Sequence, residues 1–573
     1  MRTVKSAVTM FIALVLSAQQ AQAASAVPIG AKHGMVVSAH RLASDIGVDV
    51  LKRGGNAVDA AVAVAYALAV TFPEAGNIGG GGFMTIRLND GRQTFIDFRE
   101  MAPQAATATM YQDAKGNVIA GLSTRGYRAV GIPGTVAGLE LARTKYGTQS
   151  RAALMTASIR LARSGFILDQ GDAEFLAEGA EDFAKDQPSA TIFLNQGKPW
   201  QSGERLVQTD LATILQAIAA DGPDAFYKGE AARRIVAASK AHGGIMTMAD
   251  FAAYRAVERA PVECDYRGYH IVSAPPPSSG GIVLCETLNI LAGYPLASLG
   301  FHSSQGLHYL AEALRRAFHD RNVNLGDPDF VKADIARFIS ADYAAELRKG
   351  IVADKASVSS SLGIPGVGNE GQNTTHFSII DAQGNAVSLT YTLNDWFGAR
   401  VTAAGTGILL NNEMDDFSSK PGVPNSFGLV EGINNAVAPG KRPLSSMSPT
   451  IVTKGGKLAM VLGTPGGSHI PTGVLQVMLN VIDHSMTITE AVEAPRIHAQ
   501  WLPDVIYYET NALSADTAAA LVARGHKLEP MGYQNQIAAI IVGSPAIGTP
   551  PRGGDRLYGA IDPRLPVGSV AGY

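Results

Sequence analysis

Cysteine is nearly absent from this 573-residue chain, which holds only Cys264 and Cys285. Two thiols exclude a disulfide-stapled scaffold and cannot build a zinc ribbon. Charge is also scarce and balanced. Charged residues make up 17% of the chain, where about 25% is usual, and 47 Lys plus Arg against 50 Asp plus Glu leave a net charge of −3. Nucleic-acid binders carry a basic excess, so that class is disfavoured. Familiar catalytic signatures are missing. There is no G-x-S-x-G elbow and no H-E-x-x-H pair. The glycines at 79–82 lack G-x-G-x-x-G spacing and no Gly-Lys-Ser/Thr follows, so they read as a tight turn with close backbone packing. The twelve histidines are scattered, and His376 reads as a strand residue, not a metal ligand. No metal site and no cofactor is expected.

Long apolar runs are few. Residues 7–18 form one, behind Arg2 and Lys5 and ahead of Ala21-Gln22-Ala23. That order is a secretory signal with cleavage after Ala23, and it points to a bacterial periplasmic or secreted protein. The next run, 60–70, is shorter than the roughly 20 residues a membrane span needs, so it reads as a buried helix and no membrane is expected after signal removal. Export permits a disulfide, and the sequence leaves open whether Cys264 and Cys285 meet. The 46% hydrophobic content is enough for a large core and too high for disorder, and 62 glycines imply many tight turns.

Residues 44–70 read as two helices broken at Arg53-Gly54-Gly55, and the segments 84–88 and 94–98 as a hairpin through Asn89-Asp90-Gly91. A long helical middle is expected from about 134 to 350, with a loop at 275–281. Residues 357–372, rich in Ser, Gly and Asn, read as an exposed segment. Strand patterns then dominate, at 376–380, 386–393, 450–453 and 458–462. This order fits a layered α+β body better than alternating βαβ units.

The most informative stretch is 373–394. Two strand patterns flank the turn 381–385. A hairpin symmetric about Gln383 pairs positions whose numbers sum to 766, which sets Thr374 opposite Thr392. Opposed side chains lie about 4.5–5.5 Å apart at Cβ, so their hydroxyls can meet, and a one-residue slip would destroy that.

This region resembles the γ-glutamyltransferase (γ-glutamyltranspeptidase) family of N-terminal-nucleophile hydrolases. The resemblance rests on Thr374-Thr375-His376-Phe377-Ser378, Thr390-Tyr391-Thr392-Leu393-Asn394, Asn411-Asn412-Glu413-Met414-Asp415-Asp416-Phe417, Arg442-Pro443-Leu444-Ser445-Ser446-Met447 and Pro465-Gly466-Gly467-Ser468. Asp97-Phe98-Arg99-Glu100 and the loop at 275–281 match upstream, so it spans essentially the whole mature chain. It implies a four-layer αββα sandwich and a precursor that cuts itself between Asn373 and Thr374. The segments are then a signal peptide 1–23, a large subunit 24–373 and a small subunit 374–573 within one intertwined body.

By resemblance, Thr374 is the nucleophile and Thr392 orients it. Cleavage would free the Thr374 α-amino group, whose usual pKa of roughly 7.7–8.0 suits a base for its own hydroxyl. The amides of Gly466 and Gly467 would hold the oxyanion. Arg99, Ser445 and Ser446 would take the substrate α-carboxylate, and Asn394, Glu413 and Asp416 its α-ammonium. Phe427 would gate a lid loop at 421–432, where relatives often carry Tyr. The implied reaction moves a γ-glutamyl group from glutathione or similar donors to water or to amino acids and peptides. The rival within the same family is a glutaryl or cephalosporin acylase, whose acyl group lacks the ammonium. Intact-mass measurement of the purified protein is expected to give two chains, 24–373 and 374–573; one uncut chain would exclude a free Thr374 amine.

Overall fold

The computed structural model describes residues 27–362, 374–533 and 535–573. The expected signal segment 1–23, and Asn373 with most of the segment 357–372, lie outside the described residues.

Two seven-stranded sheets form the centre. Edge to edge, the first runs Ile29–Ala31, Leu557–Ile561, Ala538–Val542, Lys457–Gly463, Thr450–Lys454, Tyr269–Ser273 and Val262–Tyr266. The second runs Ser569–Gly572, Met35–Ser38, Thr375–Ile380, Ala386–Thr392, Gly81–Arg87, Gln93–Phe98 and Val257–Arg259. All neighbours within both sheets are antiparallel. The sheets meet through Met35, Val37, Ile380, Ile451, Val461 and Ile540. Helices cover both outer faces. Arg41–Lys52 and Ala57–Thr71 pack on the second sheet, and Gly280–Leu291, Ser304–Asn324 and His469–Ile482 on the first. The expected αββα sandwich is therefore the observed architecture.

Helix Ala57–Thr71 shows why the apolar run folds inward. Asn56 and Asp59 form a reciprocal capping box at its start, and every residue of the helix is buried. The strand Thr375–Ile380 is buried on both faces. Phe377 and Ile379 meet the helical layer, while His376 and Ser378 enter the space between the sheets. The polar side chains there have partners. Ser378 Oγ donates to the Ala538 carbonyl at 3.0 Å, and Ser388 Oγ to that of Leu462 at 3.0 Å. His376 contacts Thr390 Oγ1 at 2.8 Å and Ser378 Oγ at 3.1 Å, and burial holds its imidazole neutral, with its pKa pushed down to about 3. It is the strand residue expected.

The hairpin register is the one deduced by symmetry: Thr375 faces Tyr391, His376 faces Thr390 and Ile380 faces Ala386. Its turn is held by Asp381, whose carboxylate accepts from the amides of Gln383 (3.0 Å) and Asn385 (2.9 Å) and from that of Ala57 (2.9 Å). The last bond ties the hairpin to the N-terminus of a helix.

One expectation needs correction. The middle of the chain is not helical throughout. Val257–Arg259, Val262–Tyr266 and Tyr269–Ser273 are strands on the outer parts of the two sheets. They are short, and the latter two are joined by Arg267 and Gly268 at φ of 47° and 80°, without an Asn-Gly or Asp-Gly signal. Within the segment expected to be exposed, Val358, Ser360 and Ser361 are exposed, while two of its residues are tied to the body. Ser359 is fully buried, and the Ser357 amide donates to Glu312 at 2.9 Å. The Ser- and Gly-rich composition concealed these tertiary bonds.

Cys264 and Cys285 form a disulfide between strand Val262–Tyr266 and helix Gly280–Leu291. It closes a chain separation of 21 residues across the loop at 275–279. Replacing both cysteines by serine is expected to cost about 3 kcal/mol by loop entropy, read as a lower urea midpoint; an unchanged midpoint would show that the bond adds nothing to stability.

Candidate active site

Thr374 stands at the start of the strand Thr375–Ile380, with its Oγ1 3.3 Å from Thr392 Oγ1. Its φ of 138° is one that L-residues rarely adopt. Thr392 is held by its neighbours: the Asn394 amide donates to its Oγ1 at 2.8 Å, and Asn77 Nδ2 to its carbonyl at 2.8 Å. Asn77 Oδ1 in turn accepts from the Gly80 amide and the Thr135 hydroxyl, both at 2.8 Å. Gly80 lies so near the Thr392 carbonyl that a Cβ would come within 2.0 Å of it. The 79–82 glycines therefore serve close backbone packing, as read from their spacing, and bring the strand Gly81–Arg87 against the hydroxyl pair.

Thr374 and Thr392 line a pocket with Asn394, Glu413, Asp416, Ser445, Ser446, Phe427 and Gly467. Gly466 and Gly467, at φ of 127° and 54°, occupy backbone conformations open chiefly to glycine. Their carbonyls accept from the His469 and Ile470 amides at 2.9 and 3.2 Å, which locks them to the start of helix His469–Ile482. Their own N–H groups have no internal acceptor among the described residues. Amides left free in this way beside a hydroxyl are the kind of donors an oxyanion would need. The Phe427 ring lies on Gly467, where a Cβ would come within 2.4 Å of it. Its loop is fastened from below: Asn425 Oδ1 accepts from the amides of Phe427 (3.0 Å) and Leu429 (3.1 Å), and Asp415 accepts from that of Ser426 at 3.1 Å.

Charge is concentrated behind this wall. Arg99, fully buried, pairs with both Glu413 and Asp416, and Glu100 lies 3.9 Å away. Burial opposes the guanidinium charge, but the three acids outweigh it and keep Arg99 protonated. Burial pushes Glu413 well above the usual carboxylate range and raises Asp416 too, against the pull of Arg99. It lifts Glu100 to about 7. Three carboxyls surround one cation, and one oxygen of Glu413 has no partner among the described residues. Burial favours the neutral forms of these carboxyls, and a further cation beside them would favour ionisation.

Ser445 and Ser446 are placed by the loop at 275–279. The Ser445 amide donates to the Pro277 carbonyl at 2.8 Å, and the Ser279 amide to the Ser445 carbonyl at 2.8 Å. Arg99, singled out in the sequence, lies behind the acids it pairs with, and Gly466 directly precedes the lining residue Gly467. Other residues went unnoticed. Arg321 reaches the pocket from helix Ser304–Asn324, paired with Glu431 of the loop at 421–432. Nothing marks it among the other arginines of that helix. Asn77 had a signal, since it opens the glycine run.

The sequence profile described as gamma-glutamyltranspeptidase matches residues 43–572. The chain belongs to the γ-glutamyltranspeptidase family. It is 60% identical to the glutathione hydrolase proenzyme of Pseudomonas sp. (strain A14), over 96% of each chain. It is 49% identical to that of Escherichia coli (strain K12), over 95% of this chain and 93% of the relative. Among solved structures, the cephalosporin acylase from Bacillus halodurans superposes with a TM-score of 0.82 at 28% identity, covering 97% of this chain and 98% of the other.

Gly467→Ala would drive a methyl into the Phe427 ring and disfavour φ of 54°. Alanine keeps the backbone N–H but displaces it, and if that amide serves an oxyanion the displacement should approach the loss of one donor, about 10²–10³-fold in kcat. A fall of that size is expected in steady-state assays, with folding unchanged by circular dichroism; full activity would remove Gly467 from the oxyanion site.

Proposed function

We propose that this chain is a γ-glutamyltransferase and glutathione hydrolase, made as a precursor that cuts itself at the 373–374 bond into a large subunit 24–373 and a small subunit 374–573. Both sheets interleave strands from either side of that bond, which supports a body that stays whole after cleavage. The observation that carries the substrate class is the acid pair Glu413 and Asp416 on the wall that also holds Thr374. A γ-glutamyl group brings an ammonium that these acids suit; a glutaryl group does not.

In this reading the freed α-amine of Thr374 takes the proton from its own Oγ1, which attacks the γ-amide carbon. The carbonyl electron pair moves to oxygen, facing the amides of Gly466 and Gly467. The intermediate collapses, and the Thr374 ammonium returns the proton to the departing amine, which is cysteinylglycine when glutathione is the donor. A γ-glutamyl ester remains, and water or an amino-acid or peptide amine takes the acyl group by the same steps in reverse. Thr392 orients the nucleophile. Asn394, Glu413 and Asp416 hold the ammonium and Ser445 and Ser446 the carboxylate, while Arg99, expected from the sequence to clamp the carboxylate, acts from behind by holding the two acids. Phe427 shields the ester from water.

The place of action in this reading is the periplasm or the exterior of a bacterial cell. No helix among the described residues is long and apolar enough to cross a membrane.

Purified mature protein is expected to release amine from a γ-glutamyl anilide, faster with a dipeptide acceptor, and to leave a glutaryl anilide nearly untouched. The rate should rise from pH 6 to 8.5 as the α-amine of Thr374, near 7.7–8.0 when unperturbed, loses its proton. Preference for the glutaryl compound would overturn the pocket assignment.

A further inference from the structure

Ser468 carries a hydroxyl that the chemistry above leaves unused. It ends the run Pro465-Gly466-Gly467-Ser468 and directly precedes helix His469–Ile482. A serine at that place ordinarily turns its Oγ back to accept from a first-turn amide. Here it does not: φ of −63° and ψ of −20° are already helical, and the side chain caps nothing. The residue is 1% exposed, yet its Oγ has no hydrogen-bond partner among the described residues. Buried hydroxyls without partners are rare because desolvation goes uncompensated.

Ser468 also lines the pocket beside Gly467. The other pocket hydroxyls each make at least one hydrogen bond, the two serines as acceptors. Ser445 Oγ accepts from the Met447 amide at 3.1 Å, Ser446 Oγ accepts from Arg321 at 3.4 Å, and Thr392 Oγ1 accepts from Asn394. Ser468 differs in making no hydrogen bond at all among the described residues, and it sits next to the Gly466 and Gly467 amides, at the positive end of a helix whose first-turn side contains no acidic residue. A group of unpaired donors in a closed pocket suits an oxygen that gains negative charge during reaction.

We propose that Ser468 Oγ is a third hydrogen-bond donor to the oxyanion formed when Thr374 attacks the γ-carbonyl. The proposal rests on the γ-glutamyl reading of this pocket. As the Thr374 Oγ1–carbon bond forms, the carbonyl electron pair moves to oxygen, and Ser468 donates to that oxygen without giving up its proton. When the intermediate collapses, the electron pair returns, the amine leaves and the Ser468 hydroxyl is released. The same donor acts again when water or an acceptor amine attacks the ester.

The test compares wild type with Ser468→Ala, Ser468→Thr and Ser468→Cys on a γ-glutamyl anilide, with self-cleavage followed by intact mass and stability by thermal midpoint. The expected result for Ser468→Ala is normal cleavage and midpoint, KM within about threefold, and kcat lower by roughly 10–10²-fold, the lower part of the range for one donor. The loss should be equal with water and with a dipeptide acceptor. Thr keeps a hydroxyl and should restore most of kcat, while Cys, a weak donor, should fall between Thr and Ala. Unchanged kcat, a loss seen only in KM, or a loss confined to the acceptor reaction would overturn the proposal. If the alanine variant does not fold, the Thr-against-Cys comparison still decides: equal kcat in those two refutes a donor role. Wild type inactive on the anilide would instead overturn the γ-glutamyl reading itself.

Discussion

The pairing of Thr375–Ile380 with Ala386–Thr392 carries the site, because it alone sets one threonine hydroxyl against another. Strand pairing has a period of two, so a slip by one residue would turn Thr374 to the helical layer. Several bonds guard the register. Asp381 ties the turn to itself and to a helix start, and Asn77 grips the Thr392 carbonyl at the far end. The hairpin lies inside its sheet, between Met35–Ser38 and Gly81–Arg87, so both of its edges are hydrogen-bonded. A nucleophile on such a strand needs no loop ordering before it can act.

Electrostatics form a second layer around that frame. Arg99, Glu413, Asp416 and Glu100 are all nearly or fully inaccessible to water. Charges in such a place persist only when paired, and here the acids outnumber the cation. Burial raises the three carboxyls while Arg99 resists it. An arriving ammonium would favour their ionised forms, so under the proposed function these buried acids are also the means of selecting substrate. Arg321 and Glu431 make a separate buried pair that joins the pocket to the loop bearing Phe427, leaving the two charge networks in contact with different parts of the wall.

Much of this was legible before any coordinates. The hairpin arithmetic reached the observed register because its turn is short and nearly symmetric. The helix pair at 41–71 was legible from an apolar run broken at Arg53-Gly54-Gly55. The short strands between 257 and 273 were not, since three to five residues carry little periodicity and their turn lacks the usual residues. Polar side chains on the inter-sheet face also mislead: Ser378, Ser388 and His376 suggest solvent, but each has a partner between the sheets.

By itself the sequence determined the register of one hairpin and a layered α+β body, which follow from local periodicity, while the αββα order of layers and the residues gathered in the pocket came from motifs whose fixed order resembles a known family. Tertiary structure alone decided which groups are bonded to which. It joined Cys264 to Cys285, set Arg99 behind the two acids, brought Arg321 in from a distant helix and left the Ser468 hydroxyl without a partner among the described residues. The physical reason is that a hydrogen bond or ion pair between residues hundreds of positions apart depends on how whole layers pack, and no local pattern encodes that packing.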